Sequence, residues 1–363
     1  MPARQDIRAA TDRYEAWLGG HMRLVGADLT LKHERMRAAI FPFMRATFYR
    51  WCELWRALAA SERSLARVSA VGDLHLENFG TWRDHEGRLL WGINDYDEAT
   101  TLVWSQDLAR LATSAHLAIA DEHLELRRRE ASAAILEGYC EGLERGPRTF
   151  ALEEHNGWLR RLATNELRDP VAFWDKMGAL RTAREPDADA VRALLAALPG
   201  GDRPARICRR VAGMGSLGRP RFVALAEWHG GGVAREAKAT APSAWTWASG
   251  AAAARRAQVA ASADPTVRRE GRWLVRRLAP HCARIELEDL PRERDEERLL
   301  AAMGFDTANV HLRLASRGAR ERILRELRAR RGGRNGRDGS WLNDLAKTFA
   351  DAIDKDWRRF RAG

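Results

Sequence analysis

The hydrophobic period of this chain changes at Leu198-Pro199-Gly200-Gly201-Asp202, and that change limits the folds open to it more than any other feature. Before the break, apolar residues recur mainly at helical spacing. They do so through Tyr14–Leu18, through Phe43–Leu58, and from Ser105 to about Ala197 in segments interrupted at Gly146-Pro147 and Glu185-Pro186. After the break, Arg206–Ala212 and Arg221–Trp228 read as strands flanking a glycine-rich turn, and Gly230-Gly231-Gly232 makes another turn. Arg272–Leu278 reads as a further strand, preceded by an alanine-rich helix expected at about 246–262. The rest is helical again apart from a basic, glycine-rich loop at Arg330–Gly339. The order helix-rich, small mixed sheet, helix-rich predicts an α+β protein, and 363 residues suffice for one large domain or two modest ones.

Inside the first helix-rich part lies a polar constellation. A short strand at Leu65–Val71 runs into Gly72-Asp73-Leu74-His75-Leu76-Glu77-Asn78. A hairpin follows, with arms Phe79–Arg83 and Arg88–Ile93, and ends in Asn94-Asp95-Tyr96-Asp97-Glu98. An aspartate and an asparagine five residues apart on a tight loop suit two tasks. Asp73 would accept the proton of an attacking hydroxyl, and Asn78 would offer its amide oxygen to a divalent ion. Asp95, at the end of the hairpin, would supply the main carboxylate for that ion. Taken singly, each is equally an ordinary polar turn; the case rests on their joint occurrence with Asp107.

The second constellation is Gly213-Met214-Gly215-Ser216-Leu217-Gly218. A GxGxxG alone also marks dinucleotide sites and plain turns, but here it lies between two strands and not before a helix. Lys238 follows Gly218 by twenty residues, and the chain has only the lysines 32, 176, 238, 347 and 355 among 61 basic Lys and Arg residues. A lysine retained there suits an anchor for phosphates, against the plainer reading of a surface lysine.

Together these parts resemble protein kinases, which place a catalytic-loop Asp and Asn, a metal-binding Asp, a glycine-rich loop and a strand lysine around one triphosphate. The GDLHxxN form with ND-aromatic-D downstream is most similar to the aminoglycoside and choline kinase branch, in which Asp107-Leu108-Ala109 would match a helix aspartate that steadies the catalytic loop. The order is reversed, since residues 213–238 follow residues 73–95, so the resemblance implies a two-lobed, kinase-like fold that is circularly permuted. Residues 1–200 would form a large lobe with catalytic and metal loops, 201–290 a small nucleotide lobe entered at 198–205 and left through a hinge at Arg272–Pro280, and 291–363 helices completing the large lobe.

The chain also resembles the bacterial domain-of-unknown-function 2252 family. The marks are Lys32-His33-Glu34-Arg35-Met36, Pro42-Phe43-Met44-Arg45, Gly72–Gly80, Asn94–Glu98, Asp107–Ser114 and Val211–Gly218. It departs from the usual pattern in Arg45-Ala46 for Arg-Gly and in Lys238-Ala239-Thr240 for Lys-Glu-Ala. The stretch Gly250–Val259, where a helix glutamate for Lys238 is expected, contains no acid.

The expectation is therefore a phosphotransferase using ATP and Mg²⁺. Asp73 would be the base, Asn78 and Asp95 the metal ligands, Lys238 the phosphate anchor, and Gly213, Gly215, Ser216 and Gly218 the phosphate lid. Lys238 needs compensation from an acid outside the alanine-rich helix, from the metal aspartate Asp95 or from the nucleotide phosphates; Glu236 and Glu270 are the nearest candidates in sequence, and Glu236 shares its strand face. The acceptor is a small molecule with a hydroxyl or amine. A net charge of +11 favours an anionic one. Related small-molecule kinases build acceptor sites in the segment matching 120–200, where no motif is recognisable. The absent helix glutamate favours a nucleotide-binding pseudokinase as the alternative, and the Asp-x-His at 73–75 allows a metal-dependent phosphoesterase. His75 is expected to pack or hydrogen-bond within its loop. The arginines of 325–337 lack interleaved aromatics, which disfavours nucleic acid. Cys52, Cys140, Cys208 and Cys282 form no CxxC pair, no apolar run has the length of a membrane span, and the first residues carry charges where a signal peptide needs its apolar stretch. The expected location is cytoplasmic.

Overall fold

Four helices lead into the first constellation: α1 (Ile7–Gly19), α2 (Gly26–Ala38), α3 (Ile40–Ala46) and α4 (Phe48–Leu58). The computed structural model describes residues 6–163, 169–201, 203–250, 264–282, 295–313, 317–330 and 340–363. Strand β1 (Arg67–Ala70) pairs antiparallel with β4 (Thr100–Val103), while β2 (Phe79–Arg83) and β3 (Leu89–Ile93) form the expected hairpin, extended by β5 (Phe150–Ala151). The short β4 and β5 are not foreseen from the sequence, because two to four residues are too few to display a period of two.

Helix α5 (Trp104–Ala120) starts where β4 ends and is buried on every side from Trp104 to Ala118. Its enclosure comes from α6 (Arg128–Arg145) and two helices far away in sequence, α11 (Glu296–Arg313) and α13 (Ser340–Arg361). The close crossing of α6 and α11 depends on two glycines. A Cβ on Gly138 would lie 1.8 Å from the Ala301 carbonyl oxygen, and one on Gly304 would lie 2.0 Å from that of Ile135. Only residues without a side chain let these backbones meet. Between α6 and α11 the chain also forms α7 (Gly157–Ala163), α8 (Pro170–Gly178) and α9 (Ala188–Ala197); α12 (Arg317–Ala329) follows α11. Gly146, at φ +86°, ends α6 at the expected Gly-Pro break.

Past the Leu198–Asp202 break lies a five-stranded antiparallel sheet of β6 (Arg206–Arg209), β7 (Arg221–Trp228), β8 (Gly231–Ala239), β9 (Arg268–Glu270) and β10 (Trp273–Leu278), in the order β6-β7-β8-β10-β9. The helix expected at 246–262 is corrected at its start and first stop. Helix α10 spans Ala244–Ser249, capped by the Ser243 side chain, and closes on Gly250 in the left-handed region. Residues 251–262 of that expectation, and 331–339 of the expected basic loop, lie outside the described residues. The architecture is α+β, and among the described residues no helix is long and apolar enough to cross a membrane.

Candidate functional site

The loop after β1 is held from below by α5. Asp107, fully buried, accepts hydrogen bonds from the main-chain N–H groups of Val71 (2.7 Å) and Gly72 (2.9 Å), and its carboxylate also meets His311 Nε2 at 3.1 Å. Tyr139 hydroxyl contacts the other ring nitrogen of His311 at 2.8 Å, so α6 and α11 support the same clamp. Gly72 has φ +87°, and a Cβ there would lie 2.5 Å from the Glu98 carbonyl oxygen; glycine lets the two motif loops touch.

Asn78 fastens those loops. Its Nδ2 donates to the carbonyls of Asp73 and Asp95 at 3.1 Å each, and its Oδ1 accepts the Asp95 N–H at 2.9 Å. One lone pair of Oδ1 remains for another partner. Asp73 is gripped by Arg110, whose Nη2 donates to Asp73 Oδ1 at 2.8 Å and to the Met44 carbonyl at 2.7 Å. Arg110 is fully buried and lies over the rings of Phe48 and Trp51. Burial raises the Asp73 pKa to about 6, against the pull of Arg110. His75 is buried edge-on to Phe41, a packing role in keeping with the expectation for it.

The glycine-rich turn between β6 and β7 closes over this loop. A Cβ on Gly215 would lie 3.0 Å from the Arg45 carbonyl oxygen and 3.7 Å from Asp73 Oδ2. Gly213 sits at φ +79°, and Ser216 Oγ accepts from Arg221 at 2.7 Å. Gly213, Gly215 and Ser216 share with Asp73, Asn78 and Asp95 the lining of one cleft of about 630 Å³, its open mouth included. Gly218 departs from the expectation. It is not in that lining: its carbonyl accepts the Val25 N–H at 2.8 Å, and a Cβ on it would strike Leu29 at 2.3 Å. Its glycine serves packing against α2.

Lys238, buried on β8, is not in that lining either, but it meets two carboxylates that are. Its Nζ lies 2.5 Å from Asp97 Oδ2 and 3.3 Å from Asp95 Oδ2. Burial lowers the lysine's pKa, while Asp95 and Asp97 oppose the shift. Of the expected compensating groups Asp95 pairs with the lysine, whereas Glu236 and Glu270 do not. Glu236 does share the strand face, but Arg276 stands opposite it on β10, and Arg221 comes diagonally from β7. Both donate to Glu236 at 2.8 Å, with Arg210 as a third partner, so the acid is fully engaged. Glu270 lies at the sheet edge and pairs with Arg268 at 3.8 Å.

The sequence does not single out Arg110 or Arg219 for a role. Arg219 is buried against Glu98 (3.3 Å) and Asp97 (3.9 Å), and Glu98 in turn accepts the Ala244 N–H at 2.6 Å. Asp97 and Glu98 belong to the quoted motif, and the Asp-x-Asp at 95–97 was the available signal. The donors facing a cation are Asp95, whose side chain keeps 25% exposure, the free lone pair of Asn78, and Asp97 Oδ1, which is buried without a hydrogen-bond partner. Magnesium at phosphoryl-transfer sites takes one or two carboxylates plus substrate phosphates, and this donor set fits it.

Residues 24–203 match the family model described as uncharacterized protein conserved in bacteria, DUF2252. The DUF2252 match takes in the Gly72–Asn78 loop, the Asn94–Glu98 segment and Asp107. It ends before the glycine-rich turn and Lys238, so it covers less of the chain than the motif resemblance suggests. No curated protein and no solved structure matches the chain.

Proposed function

We propose that this protein transfers the γ-phosphoryl group of ATP to a small-molecule hydroxyl or amine in a kinase-like site. The observation that carries the reading is the joint placement of Lys238 on Asp95 and Asp97 and of the 213–216 turn over Asp73. Protein kinases use a lysine on the third strand of the small sheet, a glycine-rich cover and an Asp–Asn–Asp set in this way. Here the turn joins the first two strands of the five-stranded sheet and Lys238 lies on the third in sequence. Helix α11 follows β10 through residues 279–295 and packs beside β1 and β3, which supports a permuted chain order with a lobe crossing on either side of the sheet.

Asp95 and Asn78 would hold Mg²⁺, with Asp97 as a further donor; when bound, the metal neutralises charge on the phosphates. Lys238 would exchange its carboxylate partners for phosphate oxygens. Asp73, poised near pH 6 and fixed by Arg110, would accept the acceptor's proton. The 213–216 main chain would cover the phosphates and exclude water.

Titration of ATP with and without Mg²⁺ tests the reading. Metal-dependent saturation that weakens strongly in Asp95→Asn is expected, whereas Asp73→Asn should still bind. Binding by the unaltered protein without any transfer would favour the pseudokinase alternative, and phosphoester turnover without ATP would favour the hydrolase.

A further inference from the structure

A second hollow of about 1050 Å³, its open mouth included, lies between α4, the β1–β4 pair, the start of α5 and α10. Three arginines line it, and among the described residues no carboxylate does. Arg56 donates to the Ala248 carbonyl, Arg63 Nη2 to the Arg56 carbonyl at 2.6 Å, and Arg67 Nη2 to the Thr101 carbonyl at 2.6 Å. All three are exposed, and none forms an ion pair among the described residues. Gln106 joins them: it is 1% exposed, and its side-chain nitrogen is buried without a hydrogen-bond partner. An unpaired buried amide of this kind is destabilising unless something accepts from it. Trp55 and Trp245 give the cavity apolar walls.

Three uncompensated guanidiniums, a spare amide donor and indole faces make a site for an anion on a flat, apolar body. We infer that this cavity binds a phosphate monoester carried on a ring. The guanidiniums would take the dianion's oxygens, Gln106 would donate a further hydrogen bond, and Trp245 would flank the ring. Occupation would bear on α10, whose first N–H is fixed to Glu98, and Glu98 pairs with Arg219 beside Asp97. The inference stands independently of phosphoryl transfer.

Calorimetric titration of phenyl phosphate and of inorganic phosphate into the full chain, with EDTA present, tests it. Phenyl phosphate should saturate one site more tightly than inorganic phosphate. The double variant Arg63→Gln/Arg67→Gln removes two exposed cations that touch only carbonyls, so it should fold normally and bind about tenfold more weakly or worse. Gln106→Leu should melt at or above the wild-type temperature, because an unsatisfied amide is removed, and should bind phenyl phosphate more weakly. Absence of saturable binding to the wild type, or unchanged affinity in the arginine double variant, would overturn the site. A lower melting temperature for Gln106→Leu would make the amide a structural group and overturn its assignment.

Discussion

Lys238 stands between two carboxylates of one short segment, 2.5 Å from Asp97 and 3.3 Å from Asp95, so its ammonium ties the five-stranded sheet to that segment. The lysine comes from the five-stranded sheet and the aspartates from the loop after the β2–β3 hairpin. Lys238→Met would leave Asp97 buried with only Arg219, at 3.9 Å, beside it, and removing one partner of a buried pair costs about 3–5 kcal/mol. Equilibrium urea unfolding should show a loss of that order. The double variant Lys238→Met/Asp97→Asn should recover much of it, because no buried charge is then orphaned. Recovery of stability without recovery of ATP binding is the expected pattern.

Asp73 must be ionised to accept a proton, and its pKa near 6 places the acid limb of any rate profile there. Turnover should therefore fall as pH drops through about 6 and be flat above it. Burial raises this pKa and Arg110 restrains it, so Arg110→Gln should move the limb to higher pH. A pH–rate profile of both proteins checks the direction. A limb that stays in place would mean that Arg110 does not act on the base.

Glu236 is fully buried, yet Arg221, Arg276 and Arg210 hold its carboxyl well below the usual range against the opposing effect of burial. A depressed folded-state pKa contributes stability above the unfolded value of about 4.5, and that contribution is lost as pH falls toward the folded value. Wild-type stability should thus decline below about pH 4.5, and Glu236→Gln should flatten that part of the curve. At pH 7 the substitution strands three guanidiniums, with an expected loss of about 3–5 kcal/mol by thermal or urea unfolding.

The crossing of α6 and α11 offers a purely steric test. A methyl on Gly138 would meet the Ala301 carbonyl at 1.8 Å, so Gly138→Ala must push the helices apart despite alanine's better helix propensity. Overpacking of this kind costs about 1–3 kcal/mol. The same change at Gly157, which opens α7 with nothing within 4 Å of a built Cβ, should be close to neutral. A melting comparison of the two variants separates contact from propensity.

What could be read from the residues was whatever is written in local pattern. The hairpin Phe79–Arg83 and Leu89–Ile93, strand Arg221–Trp228, and the helix stop at Gly146 each carry a short-range signal, and they occur where that signal puts them within a residue or so. The nearness of Asp73, Asn78, Asp95 and Lys238 was legible because each motif resembles one part of a phosphoryl-transfer set. Partner choice was not. Strand alternation puts Glu236 beside Lys238, but only the sheet register reveals Arg276 and Arg221 as its closer neighbours. The acceptor end was not legible either. Tyr14, Arg45, Phe48 and Tyr49 of α1, α3 and α4 line the cleft, whereas no described residue of 120–200 does, and nothing in a helical period says which helix end will face a distant loop.

Label transfer from γ-³²P-ATP into a pool of small metabolites, with Mg²⁺, tests the phosphotransferase account most directly. The account predicts a labelled product distinct from ATP and inorganic phosphate, formed by the wild type, and none formed by Asp73→Asn although that variant still binds Mg-ATP. Wild-type protein that leaves the label in ATP across the pool, or Asp73→Asn that transfers it at the wild-type rate, would contradict it.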